Sequence, residues 1–304
     1  MSNKDSRNLS QSIRAKLLQR SKQKKVDFNN EVTRYALERF LYRLSQSEYK
    51  NKFVLKGATL FKVWNGEPHR PTKDLDLLGF GESDIPEIEK EIKAVCEIQC
   101  EDGIDLDPQS VTGETIKEDQ EYEGIRIYIN YTLAKNRGKI QLDIGFGDVI
   151  TPEPLEREIP TEFDLPVPSL RIYPPETVIA EKFQAMVSLG ISNSRMKDFY
   201  DILFISRNFE FNGELLKQAI EATFKRRQTS ISEEIPLVFS TEFTQDSKRQ
   251  QAWQAFVNRN KLPVSEESFS DIIEEIKDFL IPLYSAISSN ERFEKNWFPS
   301  SKWS

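Results

Sequence analysis

The chain has 304 residues, 38% hydrophobic and 30% charged, with 12 Gly and 15 Pro, a globular composition that excludes global disorder and leaves room for two domains. Its 42 Lys and Arg against 49 Asp and Glu give a net charge of −7, so the surface as a whole repels phosphate backbones and a general nucleic-acid coat protein is excluded. His69 is the single histidine and Cys96 and Cys100 are the only cysteines, too few for the usual zinc sites or for Ser-His-Asp and Cys-His chemistry, which leaves an enzyme with carboxylates, Lys and a metal ion.

No apolar stretch approaches the roughly 18 residues of a membrane span, and residues 1–19 lack the apolar core of a signal peptide, so no membrane and a cytoplasmic address are expected. Residues 1–25 are basic, with Lys4, Arg7, Arg14, Lys16, Arg20, Lys22, Lys24 and Lys25 against Asp5. Ile13, Leu17, Leu18, Val26 and Phe28 give the segment helical apolar spacing. It reads either as a surface for RNA or a partner, or as an amphipathic helix packed on the next one. Val32 to Ser45 carries Val32, Tyr35, Ala36, Phe40, Leu41 and Leu44 at core-facing helical spacing.

Lys52 to Leu55 predicts a short buried strand, Thr59 to Trp64 a helical turn or two, and Gly66 to Thr72 a loop. Leu75 to Phe80 is the next strand, and Ile85 to Cys96 a helix with Ile85, Ile88, Ile92 and Val95 on one face. Cys96 and Cys100 would be reduced thiols one turn apart on it. Ile125 to Tyr131 alternates as a half-buried strand, Asn136-Arg137-Gly138 offers turn chemistry, and Lys139 to Gly145 returns as its partner. Seven of the 15 prolines fall between residues 152 and 175, which predicts an extended crossing between two folded parts, since Pro lacks the N–H that ladders and helices need. Helices are then expected at Pro175 to Ser188, closed by Gly190, and at Lys197 to Ser206, Gly213 to Arg226, Lys248 to Arg259 and Ser270 to Ile287, the last with a kink at Pro282.

Asp74-Leu75-Asp76 opens a predicted strand, and side chains two apart on a strand share a face, so both carboxylates can turn to a divalent cation. The tripeptide alone says little, because Asp105-Leu106-Asp107 repeats it before Pro108 without supporting context. What distinguishes the first copy is Lys56-Gly57-Ala58-Thr59 upstream, where a glycine, a helix N-terminus and a hydroxyl make a seat for nucleotide phosphates. Asp143, in Gln141-Leu142-Asp143-Ile144, is a third strand carboxylate that could act on an attacking hydroxyl beside a two-metal site, or be an ordinary strand-end acid. Lys182 could be an exposed helix lysine paired with a neighbouring Glu, and Asp198 and Asp201 a capping and salt-bridging pair beside Arg195 and Lys197.

Lys56-Gly57-Ala58-Thr59, then Arg70, Thr72, Asp74 and Asp76, with Asp143 on a later strand, resembles the nucleotidyltransferase superfamily related to DNA polymerase β and, more narrowly, the AbiEii/AbiGii toxin family. Glu176 to Gln184 and Arg195 to Asp201 are similar to that family's later motifs, and the resemblance extends to residues 40–44 and Phe224 to Thr229. One departure is Ala58, where many members have a second Gly.

The resemblance implies an α/β (α+β) nucleotidyltransferase fold with a small mixed sheet over residues 1–170, with N-terminal helices, followed by a helical domain over 171–304, the active site lying in the cleft between them. It implies Asp74, Asp76 and Asp143 as ligands of Mg²⁺ or Mn²⁺, and Gly57, Ala58 and Thr59 as the phosphate seat. Lys182 would reach nucleotide phosphates, Asp198 would be a late essential aspartate, and Asp201 would stand one turn further on the nucleotide-binding face. The expected activity is transfer of a nucleoside monophosphate from an NTP to an RNA hydroxyl, the 3′ end of tRNA, by a toxin with a cognate antitoxin. The same carboxylates could serve a kinase-like phosphotransferase or a non-catalytic nucleotide-binding module. Local basic groups for RNA would be Lys135, Arg137 and Lys139, Lys225 to Arg227, and the N-terminal segment, unless they are plain surface charge.

Overall fold

The computed structural model describes residues 3–67, 69–117 and 123–304. The side chains of Lys4, Asp5 and Arg7, and Pro68 in the expected loop, lie outside what is described. The chain forms two compact units, one of residues 1–147 and 155–172, the other of residues 148–154 and 173–304.

The first unit begins with α1 (Asn3–Lys24), which buries Ile13 and Leu17, and α2 (Phe28–Gln46), started by Asp27, whose side chain accepts from the Asn30 amide at 3.0 Å. The basic segment is thus an amphipathic helix packed on α2, with Arg20 paired to Glu31. Val26 does not continue the apolar face; it is exposed, beyond the break at Lys25. There follow β1 (Phe53–Lys56), α3 (Thr59–Asn65), β2 (Asp74–Gly79), α4 (Ile85–Glu97), β3 (Ile104–Leu106), β4 (Thr112–Lys117), β5 (Glu123–Leu133) and β6 (Asn136–Phe146). The stretch expected to be a bare crossing contains β7 (Leu155–Glu158) and β8 (Ser169–Ile172), which pair with each other.

These strands make one mixed sheet of eight, ordered β3-β5-β6-β2-β1-β8-β7, with β4 pairing the other end of β5. β2 runs parallel to β6 and β1 parallel to β8, while the remaining pairs are antiparallel. The mixed sheet expected from the sequence is thus present, with β3, β7 and β8, strands of only three or four residues, added to it. Leu75, Leu77, Leu142 and Ile144 are fully buried, so the odd residues of β2 and even residues of β6 form the core face and the alternate residues point the other way.

Three sequence features acquire different meanings. The β5–β6 turn is Ala134-Lys135, with Ala134 at φ 51°, not Asn136 to Gly138. Gly138 instead makes room for Tyr131, whose hydroxyl a Cβ at 138 would approach to 2.3 Å. Cys100 lies beyond the end of α4, so the thiols are not successive positions of one helix. Asp107 of the second Asp-Leu-Asp starts a 3₁₀ turn, accepting from the Gln109 amide at 3.0 Å, a structural use of the acid.

The second unit holds α5 (Pro175–Leu189), α6 (Met196–Asn208), β9 (Phe211–Asn212), α7 (Gly213–Arg226), α8 (Thr241–Thr244), α9 (Ser247–Asn260), α10 (Phe269–Ser288), β10 (Asn296–Phe298) and β11 (Lys302–Trp303). α10 packs on α6, α7 and α9, and continues through Pro282. The unit is not purely helical: β9, β10 and β11 form a small antiparallel sheet. It is fastened by the Trp297 indole N–H donating to the Ser206 carbonyl at 2.7 Å and that of Trp303 to the Phe279 carbonyl at 3.0 Å.

Candidate active site

In the first unit, β2 displays Asp74 and Asp76 on the face opposite Leu75 and Leu77, and the parallel register sets Asp76 beside Asp143 and Asp74 beside Gln141. The Thr72 hydroxyl donates to Asp74 Oδ1 at 2.7 Å, fixing that carboxylate at the strand entrance. On the other side of β2, Lys56 stands opposite Asp76. The chain then turns at Gly57, φ +75°, where a Cβ would fall 1.9 Å from Asp76 Oδ2. Glycine is required twice over, by its left-handed backbone and by the carboxylate against it. The Gly57-Ala58-Thr59 turn and the Asp76 carboxylate are thereby brought into contact range.

Helix α3, which begins at Thr59, is anchored by Lys62. Its ammonium lies 3.2 Å from Glu38 Oε2 and 3.0 Å from Glu162 Oε1, and the Glu162 amide donates to both oxygens of Glu38 at 3.1 and 3.0 Å. Arg20 and Arg34 complete the cluster through Glu31 and Glu162. Burial raises the Glu38 carboxyl above its ordinary value and lowers Lys62, although each partner opposes the shift of the other.

Asp143 is held more closely than an isolated strand acid. Arg126, opposite it on β5, donates from Nε to Oδ1 and from Nη2 to Oδ2, both at 2.8 Å, and Gln141 Nε2 donates at 3.0 and 3.2 Å. The bidentate hydrogen bonds raise Arg126 further above its already high value. Among the described residues no three of His, Cys, Asp and Glu are gathered so as to hold a metal ion alone. The donors still suit a hard divalent cation: Mg²⁺ is typically held by one or two carboxylates together with substrate phosphates, and Asp74 and Asp76 share one face beside the Gly57 turn.

In the second unit, Lys182 on α5 reaches across to α6, 2.7 Å from Asp198 Oδ1 and 2.8 Å from Asp201 Oδ2. It is not an exposed lysine answering a neighbouring Glu, and the two aspartates, one turn apart on α6 and both buried, converge on it. The Phe224 to Thr229 segment also changes character. Arg227 is buried, bidentate to Asp148 at 3.0 Å twice, and donates to Gln184 Oε1 at 3.0 Å, while Gln184 Nε2 donates to Thr229 Oγ1 at 2.7 Å. Arg227 therefore belongs to the interior rather than to a basic surface, whereas Lys225 and Arg226 are exposed.

Sequence reasoning missed Arg126 and the part played by Gln141. Their signal was the strand period itself: Ile125, Ile127 and Ile129 fix one face of β5, leaving Arg126 on the face of Asp143.

A mixed sheet bearing the Asp-x-Asp strand, a parallel third aspartate and a glycine turn against the second carboxylate is an arrangement suited to phosphoryl and nucleotidyl transfer. The family model described as "Nucleotidyl transferase AbiEii toxin, Type IV TA system" matches residues 39–275. The chain belongs to this AbiEii family and is a nucleotidyltransferase of the toxin type. No curated protein matches it. Among solved structures, JHP933 from Helicobacter pylori is similar at 14% identity and TM-score 0.42, covering 84% of this chain and 95% of that one. A second H. pylori structure, described as a candidate nucleotidyltransferase, is similar at 17% identity and TM-score 0.40, covering 84% and 96%.

Proposed function

We propose that the protein transfers a nucleoside monophosphate from an NTP to a hydroxyl of an RNA acceptor, the 3′ end of tRNA, in the cytoplasm, as the toxin of a pair whose antitoxin restrains it. The single observation that carries this reading is the row in which Asp76 lies beside Asp143, with Asp74 on the same face and Gly57 against Asp76. Asp74 and Asp76 would hold Mg²⁺ or Mn²⁺, which supplies charge neutralisation at the reacting phosphate.

The Gly57-Ala58-Thr59 turn receives phosphates through backbone N–H groups and the Thr59 hydroxyl. Asp143 accepts a hydrogen bond from the attacking hydroxyl and takes up its proton as the oxygen bonds to the α-phosphorus and the bond to the β-phosphate oxygen breaks, releasing pyrophosphate. Lys182, fixed by Asp198 and Asp201, is assigned by the family resemblance to the charge of the departing phosphates.

The test is incubation with total RNA, Mg²⁺ and each α-labelled NTP in turn. Label on tRNA-sized RNA is the expected result. Label transferred from the γ-position instead would identify a kinase-like phosphotransferase and overturn the reading. Asp74→Ala is expected to lower transfer by roughly a hundredfold or more, the magnitude found when one group stabilising developing charge is removed; full activity in that variant would remove Asp74 from the cation role.

A further inference from the structure

The pairing registers define a row of charged residues running across one face of the sheet: Glu114 on β4, Arg126 on β5, Asp143 on β6, Asp76 on β2 and Lys56 on β1. Residues paired across neighbouring strands share a face, and like charges side by side repel. Asp143 and Asp76 are such a pair, and the row brackets them with one cation on each side.

The two cations are not equivalent. Lys56 is buried, whereas the Arg126 side chain is 30% exposed and Asp143 only 10%. The guanidinium occupies both oxygens of Asp143 in a fork, the strongest geometry available to an Arg and carboxylate pair. Each oxygen receives a further hydrogen bond from Gln141. A carboxylate so engaged offers few lone pairs to a metal ion, yet the partly exposed guanidinium has a path to water on the side away from the buried face.

We propose that Arg126 is a positioning residue that holds Asp143 in a closed ion pair in the nucleotide-free enzyme and surrenders it when a divalent cation enters with the NTP. Arg126 thus sets a positive charge beside Asp143, lessens the repulsion between the two adjacent carboxylates, and withholds the complete acidic set from a cation arriving alone. The inference rests on the cation role proposed above for Asp74 and Asp76, and adds Asp143, their neighbour in the row, as a third ligand once Arg126 has released it.

The experiment titrates Mn²⁺ into the full chain without nucleotide or RNA and follows free Mn²⁺ by electron paramagnetic resonance. Removing the guanidinium in Arg126→Gln is expected to tighten Mn²⁺ binding about tenfold, the equivalent of one charged hydrogen-bonding partner. Arg126→Lys, which keeps the charge and loses the fork, should tighten it by about threefold. Asp143→Asn added to Arg126→Gln should abolish the gain. Unchanged or weaker Mn²⁺ binding in the Lys and Gln variants would overturn the proposal, and the Lys variant decides alone if the Gln variant does not fold. Absence of Mn²⁺ binding in every variant would overturn both the cation reading and this inference. Binding that is present but indifferent to residue 126 overturns the inference alone.

Discussion

Gly57 joins two requirements that are usually separate, a left-handed backbone and space for a neighbouring carboxylate. In Gly57→Ala the backbone alone costs about 1–2 kcal/mol, and the methyl group must also displace Asp76. A modest fall in Tm with loss of transfer activity is therefore expected; a variant retaining wild-type transfer would separate the turn from the chemistry. Cys96 makes the opposite kind of forecast, inertness. Burial pushes its thiol up to about 12, and the nearby Cys100 is also raised by burial. A raised folded-state value means that the contribution of Cys96 to stability is complete below its unfolded value and is lost as pH rises through about 12. Because the thiolate is the nucleophile, Cys96 should resist iodoacetamide at pH 8 in the folded chain and react once unfolded, measured by mass spectrometry. Rapid alkylation of Cys96 in the native protein would contradict its burial.

Helix α3 is too short to be stable by itself, and its place depends on Lys62 lying between Glu38 and Glu162. Breaking a buried ion network from one side leaves uncompensated charge, so Lys62→Met should cost about 3 kcal/mol, measured by denaturant unfolding. A loss below about 0.5 kcal/mol would mean that the cluster behaves like a solvated surface pair. The elements also show what a sequence can disclose. α7 was legible at both ends because Asn212 and Gly213 open it and its apolar spacing persists to Phe224. β5 was legible from the alternation of Ile125 to Tyr131, and β6 as the partner that returns beside it, but the parallel pairing of β6 with the Asp-x-Asp strand was not. β3, β7 and β9 were not, since strands of two to four residues are specified by the neighbours that accept their hydrogen bonds. Arg227 was misjudged for a related reason: a basic run says nothing of Asp148, 79 positions away, that takes its charge inside.

The whole chain carries −7, so the RNA acceptor proposed above would have to be met by local positive groups against a repulsive background. Lys135, Arg137 and Lys139 at the β5–β6 turn are exposed, and Arg137→Glu is expected to weaken RNA binding while leaving Mn²⁺ binding unchanged. Each lost phosphate contact should lower the slope of log affinity against log salt by about one, and an unaltered slope would remove this turn from the RNA surface. The chain passes between its two units at three places, after residues 147, 154 and 172, and β8, which returns to the first unit last, is the strand that covers the outer edge of β1. A growing polypeptide of 147 residues already contains Asp74, Asp76 and Asp143, but β1 has an open edge until residues 169–172 have left the ribosome and taken their place. A toxin gene truncated by a premature stop before that point would encode all three of these aspartates and still release a chain with an unsealed sheet, an object for proteases and chaperones instead of an enzyme.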